Sequence, residues 1–337
     1  MMDAATRELL RGSLRAVLAE RSDRPLTGRL ADLGWDEVLD DDAPGALRLL
    51  FETKGEALSS DDALGPLLVR AIADAVTLPV PTASAAAAGA GATVVLPSSL
   101  HPDHVSAHID GDRLVVEGIV LRAPDPRAPR IVPVAADDGV RLALVAEGEL
   151  ADQSIGGFDP DLGLVRVSGR AEASTVTWIE GPDATAAWEA AVARGRWALA
   201  AELTGIARRV VADAVAYTLE REQYGRPIGT FQALQHRLAG AHASVVGASH
   251  VVAEAATTGS PWAALVAKSL AGHAAEDACT QAQQAYGAIG FTWEHGFHRS
   301  LRRVYTLDRL LGGWRDLEAE IGLRLQETGT VPQIGAL

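Results

Sequence analysis

The sequence has 337 residues, more than one hydrophobic core usually spans, so two or three packed regions are expected. Its 48% hydrophobic and 22% charged residues are ordinary for a folded protein, and 30 Lys+Arg against 44 Asp+Glu give a formal net charge of −14. That charge repels nucleic-acid phosphates and anionic membrane surfaces, so neither is expected as a partner.

The N-terminus and the single cysteine indicate the compartment. Residues 1–22 mix acids and bases on an amphipathic pattern and lack the apolar core of a signal peptide. The stretch ASAAAAGAGATVVL is shorter than the roughly 20 apolar residues that a membrane helix needs. Cys279 has no second cysteine to pair with, which suits a reducing compartment. We therefore expect a soluble, cytoplasmic protein.

Residues 1–80 are predicted to form a helical region, because apolar residues recur at helical spacing from Leu9 onward. Ser60, followed by two acids, is predicted to cap the start of one of its helices. The connection from Leu78 to Ser99 carries three prolines around an Ala/Gly-rich stretch. We interpret it as a linker or domain boundary.

Residues 81–180 change to a two-residue period with β-branched runs and GD and DDG turns, which predicts a small antiparallel β domain. Residues 181–337 return to helical periodicity, and two apolar seams predict two long helices that begin a bundle. The seams consist of Leu199, Leu203, Ile206, Val210, Ala214 and Tyr217, and of Phe231, Leu234, Leu238, Ala241, Val245, Ala248 and Val252. The predicted fold class is α+β: a helical region, a β domain and an antiparallel helical bundle.

The segment REQYGRPIGTFQ lies between the two long helices. Gly225 suits a left-handed helix terminus, and Pro227 prevents the helix from continuing, which leaves Arg221 and Gln223 on the last turn. A guanidinium can grip a pyrophosphate with two parallel hydrogen bonds, and the ring of Tyr224 offers a face for an adenine. Taken alone, an ordinary interhelical turn explains the segment equally well.

A second segment, QQAYGAIGFTWEH, runs from Gln283 to His295. Gln284, Gly287 and Gly290 form a Q-x-x-G-A-x-G turn, in which missing side chains let backbone N–H groups approach a phosphate. A helix corner that happens to need glycine is the alternative explanation.

Together, in this order and after a helical and a β region, the two segments resemble the C-terminal domain of acyl-CoA dehydrogenases. The FTWEH ending and the short chain most resemble the short, non-catalytic subunits of actinobacterial heteromeric acyl-CoA dehydrogenases that act on steroid side chains. The resemblance implies FAD as cofactor, with both segments holding the ADP half of an FAD that belongs to the neighbouring subunit. The implied contacts are Arg221, Gln223, Tyr224, Gly225, Phe231, Gln232, Gln284, Gly287, Ile289 and Gly290.

The resemblance further implies an acyl-CoA substrate and an electron-transfer flavoprotein as electron acceptor. Dehydrogenation between the α and β carbons needs a base for the α-proton while hydride passes to the flavin. The family's glutamate would fall at Leu311 or Gly312, or, in other members, at Gly195, and none of these is a carboxylate. Glu202 lies too far along the helix to substitute, and Asp308, one turn before Leu311, is a weak stand-in.

The family's T-E-x-x-x-G-S-D stretch has no counterpart before residue 101. Elements that serve a neighbour's cofactor are thus present, and those that serve the chain's own chemistry are missing. This pattern predicts an enzyme subunit active only as a heterodimer or heterotetramer with a larger subunit that carries the glutamate. Two alternatives stay open: a homomeric dehydrogenase that uses a displaced acid such as Asp308, and a flavin-free helical scaffold.

Two histidine pairs, His101 with His104 and His295 with His298, have a spacing that suits metal ligands. The proline in HPDH and the flavin-type motif around the second pair argue against this, so no metal is predicted. Trp293 follows the glycine turn and is the tryptophan best placed to touch a cofactor. Three arginines are candidates for a CoA phosphate, with a solvated helix face or intersubunit ion pairs as the alternatives: Arg299, Arg302 and Arg303.

Overall fold

The computed structural model describes residues 2–20, 22, 24–78, 91–98, 105–121 and 128–332. The N-terminal region is helical, as predicted, and contains α1 (Ala4–Ala19), α2 (Leu26–Ala31), α3 (Trp35–Ala57) and α4 (Leu64–Ala75). The predicted cap at Ser60 is wrong, because the backbone N–H of Gly65 donates to Asp62 Oδ1 at 2.8 Å. Asp62 stands nearer to the first turn and supplies a stronger acceptor.

The middle of the chain forms one sheet with the strand order β7-β8-β4-β3-β5-β6-β9, while β1 pairs with β5 and β2 with β4. Most pairings are antiparallel, as predicted, but β1 and β3 pair with β5 in parallel. The strands are β1 (Thr93–Val94), β2 (Leu96–Pro97), β3 (Ala107–Asp110), β4 (Arg113–Leu121), β5 (Arg130–Ala136), β6 (Gly139–Val145), β7 (Ala151–Ser154), β8 (Leu164–Glu172) and β9 (Thr177–Ile179).

The interpretation of residues 78–99 as a linker is wrong at its C-terminal end. Val94, Val95 and Leu96 are buried, and the strands β1 and β2 join the sheet there. Apolar β-branched residues gain more free energy by covering the sheet than by facing water. Residues 79–90 and 99–104, which hold the rest of that stretch and the HPDH histidines, lie outside the described ranges.

The C-terminal region is an antiparallel helical bundle built on α5 (Pro182–Glu220), α6 (Gln232–Thr258) and α7 (Pro261–Tyr286), followed by α8 (Phe297–Arg309) and α9 (Trp314–Thr328). The predicted seams are confirmed, because their residues from Leu199 to Ala214 and from Leu238 to Val252 are buried. A short hairpin of β10 (Glu222–Gln223) and β11 (Arg226–Pro227) separates α5 from α6. Within the described ranges, no helix is both long and apolar enough to cross a bilayer.

Two glycines bring α3 and α5 into backbone contact. A Cβ atom on Gly205 would lie 2.1 Å from the carbonyl oxygen of Glu52, and one on Gly55 would lie 2.1 Å from that of Glu202. Beside this contact, Lys54 Nζ donates to Glu202 Oε1 at 2.6 Å, and both side chains are buried. The N-terminal region is therefore packed directly on the first helix of the bundle.

Candidate functional site

The first predicted segment forms a two-residue hairpin turn. Arg221 ends α5 in an extended conformation, and Gln223 pairs with Arg226 across β10 and β11. Tyr224 and Gly225 between them have φ angles of +56° and +75°, the pattern of a type I′ turn. The prediction that Gly225 ends the helix is wrong, although the left-handed conformation it was based on is present.

The hairpin presents its functional groups to the surface. Tyr224 is 93% exposed, and the exposed guanidinium of Arg221 has no hydrogen-bond partner in the described part of the chain. Phe231 packs between Tyr224, at 6.2 Å between ring centroids, and Arg226, whose guanidinium lies 4.3 Å from the ring. The hairpin thus presents the Arg221 guanidinium close in the chain to the aromatic rings of Tyr224 and Phe231.

The second segment starts where α7 ends, at Tyr286. Gly287 has a φ angle of +61°, a conformation that favours glycine, and no described atom lies within 4 Å of the position that a Cβ atom would take. Gly290 is buried, and a Cβ atom there would lie 2.6 Å from Gln283 Nε2. Gln284 and Ile289 are exposed to solvent, whereas Gly290 in the same turn is buried.

An aromatic cluster brings the two turns to one place. Tyr217 stands one helical turn before Arg221, Tyr286 directly precedes Gly287, and the two tyrosine rings lie 5.2 Å apart. His295 adds to the cluster at 4.1 Å from the Tyr286 ring. Sequence reasoning missed this cluster, although Tyr217 had been assigned to the apolar seam of α5.

Trp293 is not a packing residue of the bundle, because it is 66% exposed. The Arg302 guanidinium lies 4.5 Å from its ring, and the His298 ring lies 4.4 Å away. Of the three arginines considered for a CoA phosphate, a solvated helix face or an intersubunit ion pair, Arg303 is 2% exposed and pairs within the chain with Asp159. Burial and pairing leave that guanidinium unable to reach a ligand at the surface.

The two positions at which the family would carry its base are neighbours in space. A Cβ atom on Gly195 would lie 2.4 Å from Leu311 Cδ1 and 3.0 Å from Leu68 Cδ2. Leu311 is 2% exposed and has a φ angle of +57°, which a leucine adopts only when its surroundings impose it. Leucine side chains therefore fill the point where a glutamate from either position would act.

Asp308, the weak candidate for a displaced base, is buried and engaged in structural contacts. Its carboxylate accepts from the backbone N–H of Trp314 at 3.2 and 3.3 Å, which caps α9, and lies 3.5 Å from Lys268 Nζ. Lys268 is fully buried and also donates to the carbonyl oxygens of Asp308 and Gly312. Burial lowers the pKa of Lys268 to about 8, against the opposing effect of Asp308.

The other acid that was considered, Glu202, is paired with Lys54 in the helix interface. Neither acid is therefore free to take a proton from a substrate. Among the residues that the structure describes, no three His, Cys, Asp or Glu side chains are grouped to hold one metal ion.

Residues 185–324 match the family model "Acyl-CoA dehydrogenase, C-terminal domain", which covers both turns and the Gly195 and Leu311 positions. The chain is 39% identical over 127 residues to acyl-CoA dehydrogenase IpdE2 of Mycolicibacterium smegmatis, a match that spans 36% of this chain and 41% of that protein. The chain thus spans about two fifths of the length of this curated relative.

Solved structures of similar fold include the ChsE4-ChsE5 complex from Mycobacterium tuberculosis, with a TM-score of 0.75, 21% identity and 99% coverage of both chains. They also include the Tcur3481-Tcur3483 steroid ACAD G363A variant, with a TM-score of 0.73, 24% identity and coverage of 96% of this chain and 98% of that one. The fold thus agrees along nearly the whole chain, and the sequence motifs agree in the bundle. Residues 185–324 thus match the C-terminal domain of acyl-CoA dehydrogenases, and the chain as a whole shares the fold of these solved structures.

Proposed function

We propose that this chain is a subunit of a heteromeric, FAD-dependent acyl-CoA dehydrogenase. It supplies the surface that binds the ADP half of a partner subunit's FAD, and the partner supplies the catalytic glutamate. The observation that carries the proposal is the contrast between two places in the bundle. The two turns are exposed with uncommitted donors, whereas the position of the base is filled by Leu311 and Leu68.

The residues of the two turns fit a diphosphate. The Arg221 guanidinium has no protein partner in the described ranges and can donate two parallel hydrogen bonds to phosphate oxygens. At Gly287, no side chain prevents a phosphate from approaching the backbone. The exposed ring of Tyr224 offers an apolar face to the adenine.

Bound FAD would accept the hydride in the α,β-dehydrogenation of an acyl-CoA thioester. In this chain, Arg221, Gln223, Gln232 and Gln284 would hold the nucleotide end by hydrogen bonds. The side chains nearest to a Cβ atom at Gly195 are those of Leu311, Leu68 and Leu64, and none of the three can accept a proton. The proton of the substrate must therefore pass to a carboxylate of the partner.

The partner is expected to be a longer homologue that still carries its glutamate, and an electron-transfer flavoprotein would accept the electrons. The solved relatives named above as a ChsE4-ChsE5 complex and as a Tcur3481-Tcur3483 steroid enzyme support a two-component assembly and a steroid-derived acyl group. The contacts of Asp308 with Trp314 and Lys268 weigh against the homomeric alternative.

The test mixes this chain with the longer homologue after each has been purified alone. FAD retention and acyl-CoA oxidation should appear only in the complex. Arg221→Ala should weaken FAD retention by about 30-fold or more, because a charge-assisted bidentate contact is lost. Arg70→Ala, a surface arginine on α4 that pairs with Asp74, is the control and should change neither property.

Two outcomes would reject the proposal. The first is FAD-dependent activity of this chain by itself, which would favour the homomeric alternative. The second is full FAD retention by the Arg221→Ala complex, which would leave the hairpin without a role in the cofactor site.

A further inference from the structure

A cleft of about 460 Å³ lies beside the aromatic cluster, and none of the ten residues proposed to contact the cofactor lines it. Its walls are the C-terminal end of α3, the C-terminal third of α5 and the first turn of α8, and Tyr217, Tyr286 and His295 line it. We call it the α8 cleft. It is accessible from solvent on the chain by itself, so its ligand can be tested without a partner subunit.

Three polar groups in the α8 cleft lack protein partners in the described residues. Tyr286 is only 6% exposed and lines the cleft, and its hydroxyl makes no hydrogen bond within the described residues. His295 Nδ1 is buried and unpaired, and the Ser300 hydroxyl has no partner. Burial raises the pKa of Tyr286, so its hydroxyl keeps its proton at neutral pH and remains a donor. Buried polar groups without partners usually mark a place where a ligand or water completes their hydrogen bonds.

Two arginines line the same cleft and have free terminal nitrogens. Arg209 uses its Nε to donate to both carboxylate oxygens of Asp213, at 2.8 and 2.7 Å. Arg299 uses its Nε to donate to Asp161 at 3.1 Å. The Nη groups of both arginines make no hydrogen bond within the described part of the chain. Terminal guanidinium nitrogens of this kind bind oxyanions well.

The first turn of α8 adds backbone donors. The first N–H groups of a helix have no acceptor within the helix, and the N-cap residue, Gly296, has no side chain to satisfy them. The positive end of the helix dipole points the same way, and α8 has 13 residues. The helix terminus and the unpaired Tyr286 hydroxyl are separate observations that favour the same kind of ligand.

Two acids also line the cleft, and both are already neutralised. Glu56 accepts hydrogen bonds from Arg11, Arg15 and Arg208. Asp213 is paired with Arg209. Because each carboxylate has at least one guanidinium partner, the remaining donors determine which charge the cleft prefers.

We propose that the α8 cleft is an oxyanion site that binds a phosphate group. The cleft is larger than one phosphate requires, and the rings of Tyr217 and His295 can stack against a base. The phosphate can therefore be free or part of a nucleotide, and the same donors would bind both.

The test titrates the isolated full chain with inorganic phosphate, with AMP and with adenosine in a calorimeter. Saturable binding of phosphate or AMP is expected, and Tyr286→Phe and Arg299→Gln should each weaken it about tenfold. Tyr286→Phe keeps the ring, and melting curves establish that the variant is folded. Arg309→Gln, on the last turn of α8 and paired with Asp316, is the control and should bind like the unmodified chain.

The probes also distinguish the two sources of phosphate. AMP binding more tightly than phosphate indicates a nucleotide, and equal affinities indicate a free anion. The proposal is overturned by the absence of saturable binding, by adenosine binding as well as AMP, or by both variants binding like the unmodified chain. Because Arg299 belongs to neither of the two turns, weaker binding by Arg299→Gln distinguishes the α8 cleft from the proposed cofactor surface, which Arg221→Ala tests.

Discussion

Arg303 and Asp159 form a buried ion pair that joins the bundle to the β region, with side chains 2% and 3% exposed. Arg303 lies on α8, and Asp159 immediately precedes a short turn of 3₁₀ helix, Pro160–Leu162. The Nη1 group of Arg303 also donates to the carbonyl oxygen of Ser59, between α3 and α4, at 2.8 Å. One guanidinium thus contacts all three regions of the chain.

Arg303→Met should lower the free energy of unfolding by about 3–5 kcal/mol, because it leaves the Asp159 carboxylate buried without a partner. Arg299→Gln is a matched control, since Arg299 lies on the same helix and pairs with the exposed Asp161. Its loss should cost less than about 1 kcal/mol. Urea unfolding measures both, and equal losses would show that burial does not determine the strength of these pairs.

Gly205→Ala should destabilise the protein by about 3 kcal/mol or more, because the added methyl would meet the Glu52 carbonyl and force α3 away from α5. Gly240→Ala, on α6 with no atom within 4 Å of the new Cβ, is the control. It should stabilise by up to about 1 kcal/mol through helix propensity. Thermal unfolding of both variants tests this, and a neutral Gly205→Ala would contradict the close contact.

Asp62 should make stability depend on pH between about 4 and 6. Burial raises the pKa of its carboxyl from 3.8 to about 6, despite the Gly65 N–H and the nearby Lys54. The folded state therefore holds this proton better than the unfolded state, and the stability it contributes below pH 3.8 is lost as pH rises through 6. Asp62→Asn can still accept the hydrogen bond from the Gly65 N–H, and it should remove this pH dependence because the amide does not titrate. The free energy of unfolding is measured for both proteins at pH 4 and pH 7. Relative to the unmodified chain, the variant should be more stable at pH 7 than at pH 4.

Asp308→Asn should impair folding rather than chemistry. The substitution leaves Lys268 without its carboxylate and should cost about 1–3 kcal/mol of stability, while Asn can still accept from Trp314. In the reconstituted complex, the pH profile of kcat/KM should stay unchanged below the melting temperature. A large loss of kcat at unaltered stability would instead favour Asp308 as the displaced base.

The element types and their order were predictable because they follow from local periodicity. The seam of α5 and α6 repeats every three to four residues, and the strands alternate every two. The conformation at Gly225 shows the limit of local signals. A helix terminus and a type I′ hairpin both require a left-handed residue, so Tyr224-Gly225 fits either one until the packing of α5 against α6 selects the hairpin.

The residues of the candidate site were predictable only in part. Arg221 and Gly287 stand in recognisable motifs, and their role in binding FAD stays a prediction. Their common base, the Tyr217–Tyr286 contact, has no sequence signature, because the two rings come from different helices. The meeting of Gly195 with Leu311 has none either, since it joins α5 to the loop after α8.

The sequence by itself determined the order of the helical and β regions and the motifs that match the acyl-CoA dehydrogenase C-terminal domain. The tertiary structure alone decided which charges are buried, as in the pairing of Arg303 with Asp159, and which buried polar atoms lack a partner in the described residues, as at His295 Nδ1. The physical reason is range. Periodicity acts between residues a few positions apart, whereas burial, ion pairing and clefts depend on distances in space between residues far apart in the chain.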